Sequence, residues 1–164
     1  MSKAPRSRLL RPVVDADVLN RLIQCTSVEE LTSAVGQVSA RLGFEHWIYG
    51  ALVPVTATRA EQYILNGYPS DWRQHYLDQG YQEIDPTVSY VRSHVVPRLW
   101  DQLTAGQVQE HPQVRNGKLM FNEARSFGLA KGLSVPLHGL GCVFGMMSFA
   151  ASDPRHPILE STVY

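Results

Sequence analysis

The chain has little with which to staple, span or coordinate. Its 164 residues include only two cysteines, Cys25 and Cys142, far apart and without metal-type spacing. They read as two buried, reduced thiols rather than as a disulfide framework or a zinc site. No apolar run approaches the ~20 residues that a membrane-spanning helix needs. The opening "MSKAPRSRLLRP" is basic but lacks the apolar core of a secretory signal. The cytoplasm is therefore the expected compartment, with no membrane partner. Charge of one sign is also missing, since 15 basic residues face 15 acidic ones. Without a basic run beyond the tail, these residues are not expected to bind DNA by themselves.

Catalytic signatures are equally sparse. The histidines, at 46, 75, 94, 111, 138 and 156, show no HExxH or related spacing, and there is no GxSxG, P-loop or GxGxxG. In "PLHGLGC" His138 lies near Cys142, but a turn between two strands accounts for both. No enzyme, metal or cofactor is expected.

What is present is an ordinary globular composition, 44% hydrophobic and 18% charged, enough for one cored domain. Residues 1–14 read as a disordered basic tail and 15–164 as the domain. A weak helix runs from about Asp15 to Cys25. In "TSVEELTSAVGQVSARLGF" Ser27 caps a second helix, Glu30 completes a capping box, and Gly43 stops it. Leu31, Val35, Val38 and Leu42 give it one apolar face. "FEHWIYGALVP" and "AEQYILNG" read as strands. "YPSDWRQHYLDQG" is a helix with Pro69 in its first turn, and another starts at Asp85-Pro86 and reaches about His94. After an irregular stretch comes a helix ending at Gly128. The strands "AKGLSVPLHG" and "CVFGMMSFAA" then form a hairpin. The closing "RHPILESTVY" reads as the start of a further helix. The order α, β, β, α, α, α, β, β without a βαβ rhythm predicts an α+β fold. It is an α/β/α sandwich, a central antiparallel sheet with helices on both faces and a pocket between sheet and helices.

Several residues carry polar groups into apolar surroundings. Tyr68, Trp72 and Tyr76, spaced i, i+4, i+8, form one aromatic stripe. Such a stripe serves as core, but its two hydroxyls and one indole N–H also suit a polar-headed ligand. Asp85 precedes Pro86 and suits a helix N-cap, yet a carboxylate has lone pairs left over for a ligand N–H. Trp100 reads as a core aromatic. Ser148 sits in the apolar "FGMMSFA", where nearby backbone would ordinarily satisfy it.

Taken together, "NGYPSDWRQHYLDQGYQEIDPTVSYV", "VVPRLW" and "FNEARSFGLAKGLSVPLHGLGCVFGMMSFA" resemble the autoinducer-binding domain of LuxR-type quorum-sensing regulators, nearest the LasR-like subgroup. The resemblance spans roughly residues 15 to 152. It implies an N-acyl homoserine lactone as ligand. Trp72 matches the indole that donates to the lactone carbonyl. Asp85 matches the acceptor of the amide N–H, and Tyr68 and Ser148 match donors to the amide carbonyl. Thr87 matches a polar neighbour of the head group, Trp100 the aromatic wall by the ring, and Tyr76 an aromatic of the acyl channel. Arg73 stands where the subgroup has an arginine that reaches a 3-oxo group through water.

Ile48, Gly50, Leu52, Tyr63, Leu65, Tyr76, Val88 and Leu129 are candidate channel residues. The room at Gly50 and Ala51 favours a medium or long chain. The resemblance further implies a homodimer, and DNA binding only through a C-terminal helix-turn-helix domain that is absent from this chain. The alternatives are an orphan receptor for a non-lactone small molecule, or a lactone hydrolase using His138 and Cys142.

Overall fold

The structure is a computed structural model that describes residues 16–105, 112–141 and 143–158. Residues 1–15, with the expected tail at 1–14, and residues 159–164 lie outside the described residues, and the described part of the expected closing helix, 155–158, is not helical. Two helices, α1 (Ala16–Gln24) and α2 (Val28–Arg41), lead into β1 (His46–Pro54) and β2 (Ala60–Asn66). Then come α3 (Ser70–Asp78), a 3-10 turn (Tyr81–Glu83), α4 (Pro86–Val91), β3 (Arg98–Leu99) and α5 (Trp100–Leu103). The chain continues through α6 (Pro112–Ser126), β4 (Lys131–Pro136) and β5 (Phe144–Ala151). The strands form one antiparallel sheet in the order β2-β1-β5-β4-β3. This is the α+β arrangement expected.

Local chemistry explains the boundaries. Ser27 caps α2, its Oγ accepting from the Glu30 N–H at 3.1 Å. The Glu30 carboxylate reaches one residue further back than a standard capping box. It accepts from the Thr26 N–H at 2.8 Å and hydroxyl at 3.0 Å. Gly43, at φ +90°, ends the helix as expected. α4 stops at Val91, short of the expected His94. The Tyr90 carbonyl is taken by the Ser93 N–H and the His94 ring, which closes the turn early. The short strand β3 was not legible, because two residues show no alternation. Cys25 departs from the buried thiol expected: it is half-buried, and its S–H donates to the Arg21 carbonyl at 3.2 Å. Cys142 lies outside the described residues.

The sheet divides the molecule by parity. Cross-strand rows put Asn66, Ile48, Ser148 and Ser134 abreast, then Ile64, Gly50 and Met146, then Gln62, Leu52 and Phe144. These residues share one face, because alternate side chains of a strand point to opposite sides. Helices α3 to α6 cover that inner face. On the outer face Trp47 is buried beside Gly36 of α2.

Two glycines set how closely the inner helices approach. A Cβ on Gly132 would meet the Trp100 indole at 2.4 Å, so the ring lies flat on β4 only because that position has no side chain. A Cβ on Gly117 would meet Pro86 at 2.5 Å, so α6 admits the start of α4. Gly132→Ala is expected to cost about 1–3 kcal/mol through overpacking. Thermal or urea unfolding measures it, and a loss of the Trp100 near-ultraviolet dichroism should accompany it.

Candidate functional site

Between the inner face of β1, β2 and β5 and helices α3, α4 and α6 lies a cavity of about 820 Å³. Helix α3 presents Trp72, Arg73 and Tyr76 to it, and Tyr68 enters from the segment before α3. Asp85 and Thr87 come from the start of α4, with Val88 one residue further on. Ile48, Gly50 and Leu52 of β1 and Ser148 of β5 form the floor, and Trp100 closes one wall. Exposed Arg73, Leu77 and Arg92 stand on the rim.

The electrostatic centre is Asp85, 8% exposed. Its Oδ1 accepts from the backbone N–H and the hydroxyl of Thr87, each at 2.7 Å, and Oδ2 accepts from the Tyr76 hydroxyl at 3.0 Å. The cap and the cavity therefore share one carboxylate. Burial raises its pKa above the ordinary carboxylate value, while the Thr87 and Tyr76 hydrogen bonds pull against that shift. Burial first, and then the Asp85 charge, push the Tyr68 and Tyr76 phenols well up, so both remain protonated donors. The Trp72 indole N–H has no acceptor among the described residues. Ser148 lies near the Tyr68 hydroxyl and opposes, in part, the upward push of burial on that phenol. It also shares a 2.7 Å contact with Ser134, which accepts from the Trp100 indole N–H at 3.0 Å. Three kinds of donor and the buried Asp85 carboxylate thus face one cavity, whose lining also includes Gln62, Asn66 and Glu83.

Residues 27–162 match the family model described as the autoinducer binding domain. The chain belongs to the autoinducer-binding domain family. It is 35% identical over 133 residues to the transcriptional activator protein VanR of Vibrio anguillarum, covering 80% of this chain and 52% of VanR. It is 28% identical over 137 residues to LuxR of Aliivibrio fischeri, covering 83% of this chain and 52% of LuxR. The chain thus spans about half the length of these relatives.

The fold is shared with an N-acylhomoserine lactone dependent LuxR family transcription factor, CepR2 of Burkholderia cenocepacia. That match has a TM-score of 0.66 and 21% identity, over 84% of this chain and 76% of CepR2. It is also shared with SdiA in complex with octanoyl-rac-glycerol, at a TM-score of 0.70 and 20% identity, over 88% of this chain and 56% of SdiA.

Within this autoinducer-binding domain, eleven of the twelve expected site residues border the cavity. They are Tyr68, Trp72, Arg73, Tyr76, Asp85, Thr87, Val88, Trp100, Ser148, Ile48 and Gly50. Leu129 does not. It is buried in the core behind Trp100 and borders a separate cleft of about 140 Å³. The channel candidates Tyr63 and Leu65 also miss, for a reason of parity. The register pairs Gly50 with Ile64 and Ile48 with Asn66, so residues 62, 64 and 66 take the inner face. Tyr63 and Leu65 point to the other side. His138 is exposed, away from the cavity lining, with Nε2 at 3.1 Å from the His94 carbonyl.

Sequence reasoning missed a clamp behind Trp72. Glu123 of α6 accepts from the Tyr81 hydroxyl at 2.5 Å and pairs with His75 Nε2 at 2.6 Å. His75 also stacks on Phe127, with 5.2 Å between ring centroids. The clamp ties α3 and the 3-10 turn to α6, and so holds the helix that carries Trp72 and Tyr76. The Tyr81 hydroxyl, then His75, hold Glu123 below the ordinary carboxylate range. Burial, then Glu123, push Tyr81 up to about 12. No short-range pattern links residues 48 positions apart, so no sequence signal pointed to the pair.

Glu123→Gln should lower stability by about 0.5–1.5 kcal/mol at neutral pH, read by urea unfolding. Because the folded pKa is depressed, that difference exists above the unfolded value and shrinks as pH falls through the folded one. Asp85 has the opposite sign. Its raised folded pKa means stability is lost as pH rises from about 3.9 through the folded value. The unliganded wild type should therefore lose stability relative to Asp85→Asn over that rise, measured as the difference between their midpoints at each pH.

Proposed function

We propose that this domain senses an N-acyl homoserine lactone with a medium or long acyl chain. The observation that carries the reading is the buried Asp85 carboxylate, set in the same cavity as the Trp72, Tyr68 and Ser148 donors. Such a ligand offers one amide N–H and two carbonyls, which is the complement of that set. Trp72 would donate to the lactone carbonyl, and Tyr68 and Ser148 to the amide carbonyl. Asp85 Oδ2 would accept the amide N–H, with Thr87 and Tyr76 holding the carboxylate. Trp100 would wall the ring, and Arg73 would reach an oxygen at the 3-position. The tail would run over Ile48, Gly50, Leu52 and Val88.

A hydrogen bond to a charged group contributes about 1.5–3 kcal/mol, and each buried CH₂ about 0.8 kcal/mol. The head group therefore orients the ligand while tail length sorts among lactones. In the parent protein, binding would stabilise the fold and govern dimerisation and DNA binding through a C-terminal domain.

A second reading, a receptor for a non-lactone ligand, draws support from SdiA, which was solved with octanoyl-rac-glycerol. An acylglycerol has no amide N–H, but its free hydroxyls can also donate to Asp85, so the two readings are separated by which ligand stabilises the fold.

Thermal unfolding with N-hexanoyl to N-dodecanoyl homoserine lactones and octanoylglycerol tests this directly. A ligand at 100 times its Kd adds about 2.7 kcal/mol. Lactones should stabilise the wild type, with the shift growing along the series. Asp85→Asn should fold and bind lactones at least ~10-fold more weakly. Stabilisation by octanoylglycerol alone would transfer the assignment to the second reading. Gly50 has no neighbour nearer than Met146 Cγ at 3.9 Å from an added Cβ, so a side chain there would grow into the cavity. Gly50→Leu should shift preference toward shorter tails, read from the same panel.

A further inference from the structure

We propose that Ser134 is a positioning residue that fixes the direction of the Ser148 proton and so makes the β5 wall of the cavity a hydrogen-bond donor. Ser134 does not border the cavity and is 0% exposed. Its hydroxyl has two partners among the described residues, the Trp100 indole and the Ser148 hydroxyl. An indole N–H only donates, so Ser134 Oγ must accept from Trp100. If Ser148 donated to Ser134, the Ser134 proton would be left buried without an acceptor. If Ser134 donates to Ser148, both the Trp100 and the Ser134 protons have acceptors. The Ser148 O–H is then free to point at the Tyr68 oxygen or at a ligand carbonyl. Trp100, Ser134 and Ser148 thus form a one-way relay that ends in the cavity. The Trp100 end is fixed because Gly132 lets the ring lie against β4. A ligand with an acceptor oxygen at that wall is favoured over one presenting a donor.

This inference rests on the lactone reading, and the test separates the two. The 164-residue chain and its Ser134→Ala, Ser148→Ala and doubly substituted variants are titrated with N-octanoyl and N-dodecanoyl homoserine lactone. Each single change should weaken binding by about 5–10-fold, and the double variant should bind no more weakly than Ser148→Ala alone. Ser134→Thr, which keeps the hydroxyl, should restore affinity. If Ser134→Ala does not fold, Ser134→Cys, of similar size with a weak S–H donor, replaces it in the same cycle. Losses that multiply in the double variant, or unchanged affinity of a folded Ser134 variant, would overturn the relay and leave the lactone reading standing. Unchanged affinity of Ser148→Ala would likewise overturn the relay alone, and absence of lactone binding by the wild type would overturn both.

Discussion

A carboxylate inside a protein must be met by donors or it will not stay charged, and in this domain that demand falls on Asp85. One oxygen is committed to the start of α4 through Thr87, and the other takes the Tyr76 hydroxyl and still faces the cavity. The same side chain therefore joins two helices and polarises the site between them. Much of the surrounding structure serves this arrangement. Gly117 lets α6 meet the first residue of α4, and the Glu123 clamp fixes the helix that supplies Tyr76. The sheet contributes a floor that is apolar at Ile48, Gly50, Leu52 and Ile64. Under the proposed function a ligand N–H would arrive at Oδ2 and couple binding to folding through this residue.

The sheet does more than cover the cavity. Its inner face is graded along the strands. Near β4 it carries hydroxyls, Ser134 and Ser148, with Trp100 against them. Toward β2 and the far ends of β1 and β5 it carries Ile64, Leu52 and Phe144, interrupted by Asn66 and Gln62 of β2. Antiparallel pairing creates the gradient, because it places residues distant in sequence in one row.

Much of this was legible in the residues themselves. Helix caps and stops are short-range chemistry, so Ser27, Gly43 and Asp85 announced their elements. The spacing of Trp72 and Tyr76 announced a shared helix face, whereas Tyr68 lies before α3 and joins them at the cavity from outside the helix. What a single sequence does not carry is register. Tyr63 and Leu65 look as suitable as Ile64 for an apolar wall, and only the pairing of β1 with β2 decides which parity faces inward. Leu129 failed similarly, since an apolar residue after a helix stop can fill the core as readily as a channel. The 3-10 turn at Tyr81–Glu83 and the two-residue β3 are too short to show periodicity. The partners of Ser134 and Glu123 are set by tertiary contact alone.

The most direct test of the central claim is the ionisation of Asp85 itself, followed by the carboxyl ¹³C shift of that residue across a pH titration with and without N-dodecanoyl homoserine lactone. The account predicts a pKa above the ordinary aspartate value in the free domain and a fall on binding, as the ligand N–H stabilises the charged form. A free-state pKa at or below the ordinary value, or one that bound lactone leaves unchanged, would contradict it and reduce Asp85 to a helix cap.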